Sequence, residues 1–179
     1  MEGLKQYDMT STMAVSDIGV QVSVRYLKDV LNYSEVLYVD KNKAFQKKDI
    51  DLIAVKEDEF GIMGSTIEVK TDRYTTGNLF FETISNIQTG SPGCLMYSEA
   101  DFLHYYFTGY KQLYIMDLRL FREWVLANRH RYKPRNTSTG NDFGMFYTSE
   151  GIPIPLRDIR KNFSQFRGKV VNAAEQMLI

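Results

Sequence analysis

The segment Ile67-Glu68-Val69-Lys70-Thr71 sets charged residues between β-branched ones with a strict period of two. Successive side chains of a β-strand leave on opposite faces, whereas a helix repeats its faces every 3.6 residues or so, and the alternation therefore predicts a strand. Ile67 and Val69 go to one side, and Glu68 and Lys70 go to the other. The sheet that holds this strand needs one packed face and one face that tolerates charge.

Upstream, Lys48-Asp49-Ile50-Asp51-Leu52-Ile53-Ala54-Val55 predicts a second strand from Asp49 to Val55. The charged turn Lys56-Glu57-Asp58-Glu59 with Gly61 folds it back beside the first. Asp51 then lies next to Glu68. Two carboxylates beside one ammonium suit a hard divalent cation such as Mg²⁺, which takes oxygen ligands and keeps waters that can act as nucleophiles. Hydrolysis of a phosphodiester is the chemistry such a set serves. Asp49 shares a strand face with Asp51, so the choice between them is open. Asp51 is favoured because Leu52 to Val55 follow it directly and place it at the entrance to a buried strand.

An Asp, a hairpin-sized gap and then Glu-x-Lys resembles the signature of the PD-(D/E)XK nuclease superfamily, with Asp51, Glu68 and Lys70 at its three positions and Ile50 where the name has proline. The resemblance implies a restriction-endonuclease-like α/β sandwich, a central mixed β-sheet flanked by helices. It spans about residues 16–116 and leaves 117–179 as a C-terminal elaboration of one domain, 1–179. It also implies a metal-dependent endonuclease acting on DNA, with Mg²⁺ or Mn²⁺ held by Asp51, Glu68 and the carbonyl of Val69. Lys70 would orient or help deprotonate the attacking water, or stabilise the developing charge. An additional acid in this superfamily can come from the segment after the Lys strand, where Glu82 stands in Leu79-Phe80-Phe81-Glu82; it could equally be the polar member of an aromatic strand. Asp17, near the start of the first predicted helix, is a further candidate acid, or simply a helix-capping aspartate.

Composition limits the alternatives. Twenty-two Lys plus Arg balance 22 Asp plus Glu, so affinity for nucleic acid has to come from local clusters and not from net charge. The densest cluster is Arg129-His130-Arg131-Tyr132-Lys133-Pro134-Arg135, in which Arg129, Arg131, Lys133 and Arg135 flank a tyrosine able to stack on a base. Arg157, Arg160, Lys161, Arg167 and Lys169 form a second basic zone. A single cysteine, Cys94, rules out an intrachain disulfide and cysteine-rich zinc sites, and two histidines are too few for a histidine-based metal cluster. No apolar run has the length of a signal peptide or a membrane span, so a soluble, cytoplasmic protein with no membrane partner is expected.

Along the rest of the chain, residues 16–32 predict a helix capped by Ser16, and 35–40 a strand. Residues 101–107 and 112–116 predict a hairpin, Asp117 caps an amphipathic helix, and a final helix runs from about Ile159 to the end. Paired cuts on duplex DNA would suit a homodimer. The alternatives are an RNA-cleaving or exonuclease variant of the same fold, and a nuclease-fold protein that binds or inhibits without cutting.

Overall fold

Three strands in antiparallel succession, β1 (Glu35–Tyr38), β2 (Leu52–Asp58) and β3 (Gly61–Asp72), follow a long helix, α1 (Met9–Arg25), in the computed structural model, which describes residues 9–140 and 146–176. A single short turn, α2 (Lys43–Gln46), joins β1 to β2; its first free amide is capped by the side chain of Asn42, which accepts from Ala44 N at 3.0 Å. After α1 the chain continues as one π-helical turn, Tyr26–Val30. The helix is longer than its pattern predicts. Ser16 lies inside α1 and does not cap it, and its carbonyl accepts a hydrogen bond from Thr71 Oγ1.

The β2–β3 hairpin is tighter than predicted. Lys56, Glu57 and Asp58 belong to β2, and the turn is made at Glu59 and Phe60, with Gly61 at φ +127°, a conformation that favours glycine. At its other end β2 starts later than expected. Asp49 has φ +52° and is part of a turn, so the extended run does not include it.

From β3 the chain crosses to a second layer made of β4 (Asn78–Asn86), β5 (Ser91–Pro92) and the one-turn helix α3 (Cys94–Tyr97). It returns to the first sheet as β6 (Phe102–Phe107), parallel to β3, and β7 (Gln112–Asp117), antiparallel to β6 as predicted. Helix α4 (Leu118–Asn128) is capped by Asp117, whose Oδ1 accepts from Leu120 N at 3.0 Å. Strands β8 (Arg135–Gly140) and β9 (Phe146–Pro155) join the second layer, giving the order β5-β4-β9-β8. The last predicted helix is a short α5 (Leu156–Lys161), an edge strand β10 (Lys169–Asn172) on β7, and α6 (Ala173–Gln176). The main sheet thus has the order β1-β2-β3-β6-β7-β10, with one parallel pair among antiparallel ones.

The class is α/β with a mixed sheet, but helices do not cover both faces. On one face α1 and the turn after it lay Val22, Tyr26 and Leu27 against Val36, Leu52, Ala54, Ile67, Val69, Tyr106, Leu113 and Ile115. On the other face the second sheet does the covering. Leu79 and Phe81 of β4 and Ile152 and Ile154 of β9 share a core with Leu103, Tyr105, Phe107, Tyr114 and Met116, which α4 closes with Phe121, Trp124 and Val125. Two sheet faces that interdigitate apolar side chains form a stable layer pair without a helix between them. Residues beyond Asp117 are built into both sheets. No helix among the described residues is long and apolar enough to cross a membrane.

Candidate metal centre

The period-two pattern of β3 divides its side chains as the sequence predicts. Ile67 and Val69 are buried under α1, and Glu68 and Lys70 point to the opposite face, between the two sheets. Glu68 is 1 % exposed, and its Oε1 pairs with Lys70 Nζ at 2.6 Å. Its other oxygen, Oε2, is buried without a hydrogen-bond partner. Lys70 keeps a third of its side chain, 33 %, in contact with solvent and lines a small cleft of about 200 Å³ together with Phe80, Glu82, Cys94, Leu95 and Tyr105.

Asp51 stands one residue before β2. Leu52, the first residue of β2, pairs with Ile67. Asp51 N donates to the Ile67 carbonyl at 3.0 Å, and its Oδ2 accepts from Val69 N at 2.8 Å. The N–H and C=O of one strand residue point to the same side, so the Val69 carbonyl faces the edge where Asp51 sits. Asp51, Glu68, Lys70 and Val69 are brought together.

Asp49 comes to the same place by another route. Its left-handed turn is clamped by the loop after α3: Ser98 Oγ donates to the Asp49 carbonyl at 2.8 Å, and Glu99 N donates to the Lys48 carbonyl at 2.8 Å. The carboxylate turns inward, with Oδ2 buried and unpartnered. One carboxylate oxygen each from Asp49 and Glu68 and the Sγ of Cys94 lie within 4.8 Å of one another. Asp49, not Asp51, completes this three-residue group.

Glu82, on β4, reaches the cleft and accepts from Cys94 N at 3.4 Å. Asp17 does not reach it. It is exposed on α1, on the other side of the sheet. Arg129 and Arg131 form a short helical turn after α4, and Lys133 and Arg135 follow; all four are exposed and none lines the cleft. Arg131 is held by Asn128 Oδ1 at 3.1 Å and packs over the Tyr132 ring.

Electrostatics follow from this burial. Burial pushes the Glu68 carboxyl well above the usual range, Lys70 pulls it back in part, and Asp51 and Asp49 add to the rise. Burial also raises Asp51, although the Val69 amide and Lys70 oppose it. Burial alone would lower Lys70, but Cys94, Glu68 and Asp49 together hold its ammonium well above the ordinary lysine value. The Cys94 thiol is pushed up to about 12, chiefly by burial. A buried oxygen without a partner costs about 1–3 kcal/mol, more when charged. Glu68 and Asp49 each carry one such oxygen, and both residues belong to the three-residue group with Cys94. Two carboxylates and a sulfur are a donor set that fits a divalent cation.

Cys94 is the member that residue patterns do not reveal, since an isolated cysteine after a turn follows no ligand spacing. Its neighbour explains its position. Gly93 N donates to the Thr83 carbonyl at 2.9 Å, and a Cβ on Gly93 would meet the Glu82 carbonyl oxygen at 2.3 Å. Only glycine lets the chain approach β4 closely enough to turn Cys94 toward Glu68. No protein-family model, curated protein or solved structure matches this chain.

Proposed function

We propose that the chain is a divalent-metal-dependent nuclease of restriction-endonuclease-like fold that hydrolyses DNA phosphodiester bonds. The observation that carries this reading is the buried Glu68 carboxylate, which holds the Lys70 ammonium with one oxygen, leaves the other without a partner, and groups with Asp49 and Cys94. The succession α1-β1-β2-β3, with Asp51 at the start of β2 and Glu68 and Lys70 on β3, supports it. Glu68 and Asp49 are the carboxylates that would hold the cation, with Asp51 beside them on the Val69 amide. A cation bound there would supply an acidified water as nucleophile and offset negative charge at the phosphoryl group.

The chain's own groups account for the rest. Lys70, held on Glu68 Oε1, is placed to act as an electrostatic donor to the phosphate or to orient the attacking water. Its partial exposure in the cleft lets the ammonium reach a bound group while Glu68 fixes its direction. Tyr105 OH accepts from Phe80 N and donates to Asp72 Oδ2 at 3.3 Å, so the cleft's tyrosine is held by both layers. Phe80 and Leu95 keep the walls apolar.

The test is incubation of the protein with labelled duplex, branched and single-stranded DNA and with RNA, in Mg²⁺, Mn²⁺, Zn²⁺, Co²⁺ or EDTA. DNA cleavage that EDTA stops is expected, with Lys70→Ala slower by about 10²–10³, the range for loss of one preorganised donor. Cleavage of none of these substrates with any metal would leave a binding protein, and the nuclease reading would fall.

The exposed cluster Arg129, Arg131, Lys133 and Arg135 is the candidate phosphate-binding surface. Each phosphate contact to duplex DNA contributes about 0.9 to the slope of log affinity against log salt. The double variant Arg131→Ala, Lys133→Ala is expected to flatten that slope by about two units and to weaken binding for all sequences alike. An unchanged slope would assign these charges to solvent and move the surface to Arg157, Lys161 and Arg167.

A further inference from the structure

The thiol in the three-residue group bears on which metal the site takes. Cys94 is not a freely rotating surface cysteine. Its amide donates to Glu82 Oε2, and the preceding glycine is packed on the Glu82 backbone. The far end of α3 is tied to α4 by Arg122, whose guanidinium donates to the Leu95 and Ser98 carbonyls at 2.6 Å each. The same Ser98 holds the Asp49 turn. One rigid loop therefore places two of the three donor atoms, and β3 places the third.

Glu68, a member of that group, is 1 % exposed and leaves its Oε2 buried without a hydrogen-bond partner, a second sign of a ligand. Bonds of about 2.3 Å to sulfur and about 2.0–2.2 Å to carboxylate oxygen put the ligand atoms of a tetrahedral ion about 3.5 Å apart. Donor atoms within 4.8 Å of one another would have to close by up to about 1.3 Å around an ion. Mg²⁺ demands oxygen ligands in near-octahedral order and does not use a thiolate, whereas Zn²⁺, Co²⁺ and Fe²⁺ do.

We infer that Asp49, Glu68 and Cys94 are the protein ligands of a thiophilic divalent transition metal, which the site binds in preference to Mg²⁺. The inference rests on reading this cluster as a cation site, and it specifies the cation. Cys94 would bind as thiolate, its proton passing to solvent. Asp51, with Oδ2 on the Val69 amide, would brace β3 beside the metal.

Titration of the metal-free protein with Co²⁺, followed by absorbance, tests this without any substrate. A thiolate-to-cobalt charge-transfer band in the near ultraviolet is expected to rise to one equivalent and to survive a large excess of Mg²⁺. Cys94→Ser should abolish the band and weaken Zn²⁺ binding by more than about 100-fold, beyond the usual cost of losing an outer-shell partner. Should that variant not fold, the parent's band and its resistance to Mg²⁺ still decide the matter. Co²⁺ binding without the band, or displacement by equimolar Mg²⁺, would overturn the thiolate assignment and leave a carboxylate cation site standing. Calorimetry showing no heat for Co²⁺, Mn²⁺ or Mg²⁺ would remove the cation site itself.

Discussion

Replacing Glu68 with glutamine is expected to end cleavage while leaving the protein folded. The side chain pairs with Lys70 through one oxygen, leaves the other without a partner, and belongs to the group with Asp49 and Cys94. Glutamine keeps the shape and can still accept from Lys70 Nζ, but it removes the charge that a cation needs. Metal catalysis contributes several kcal/mol of transition-state stabilisation, and about 4 kcal/mol corresponds to a thousandfold in rate. A loss of about 10³ or more is expected, together with loss of the calorimetric heat of metal binding. Without metal, the melting temperature should stay the same or rise, because burial disfavours the charged carboxyl that the substitution deletes. A Glu68→Gln protein that cuts at the parental rate would move the active site elsewhere.

A second large effect is expected on acidification, from a residue on the opposite face of the sheet. His104 is fully packed beneath α1, edge-on to Tyr26, and its Nδ1 has no hydrogen-bond partner. Burial, helped by the nearby Lys169 ammonium, lowers its pKa to about 3. An unfolded chain takes up this proton near 6.5 and the folded one does not, so the unfolded state binds more protons between those values. Stability is therefore complete above about pH 6.5 and falls as pH drops toward 3. The slope approaches about 1.4 kcal/mol per pH unit from this residue. The raised carboxyls of Glu68 and Asp51 act in the opposite sense, losing stability as pH rises, so the readout is the difference between parent and variant. His104→Phe keeps the ring against Tyr26 and cannot titrate. Denaturant unfolding from pH 7 to 4 should show the parent losing stability relative to the variant at about that slope. Parallel curves would mean that His104 becomes charged without unfolding.

The elements legible in the residues were those whose signal is local. The alternation Ile67-Glu68-Val69-Lys70 determined a strand with a charged face and a packed face, since side-chain direction depends only on the backbone of that strand. Asp117 announced the start of α4 by the same local logic, an oxygen able to accept an orphan amide. The α/β class and the mixed sheet followed from the succession of such segments. The second sheet did not. Phe81 finds its partner Ile152 some 70 residues away, and no pattern within β4 names that partner. Lys169–Asn172 is too short for its alternation to stand out from the helix predicted there.

The site divides in the same manner. The Glu68–Lys70 pairing follows from adjacency on one strand face, and Asp51 beside them from the antiparallel return of β2 onto β3, although the hairpin turns later than the residues predict. Asp49, Glu82 and Cys94 reach the same point only through tertiary contacts: a left-handed turn clamped by Ser98, a strand from the second layer, and a glycine that lets the chain pass against a carbonyl oxygen. The sequence by itself determined which face of β3 carries charge, because backbone geometry dictates that at short range. Which further side chains meet there was decided by the packing of the second layer and its loop on the main sheet, because those groups are distant in the chain and only long-range contacts place them.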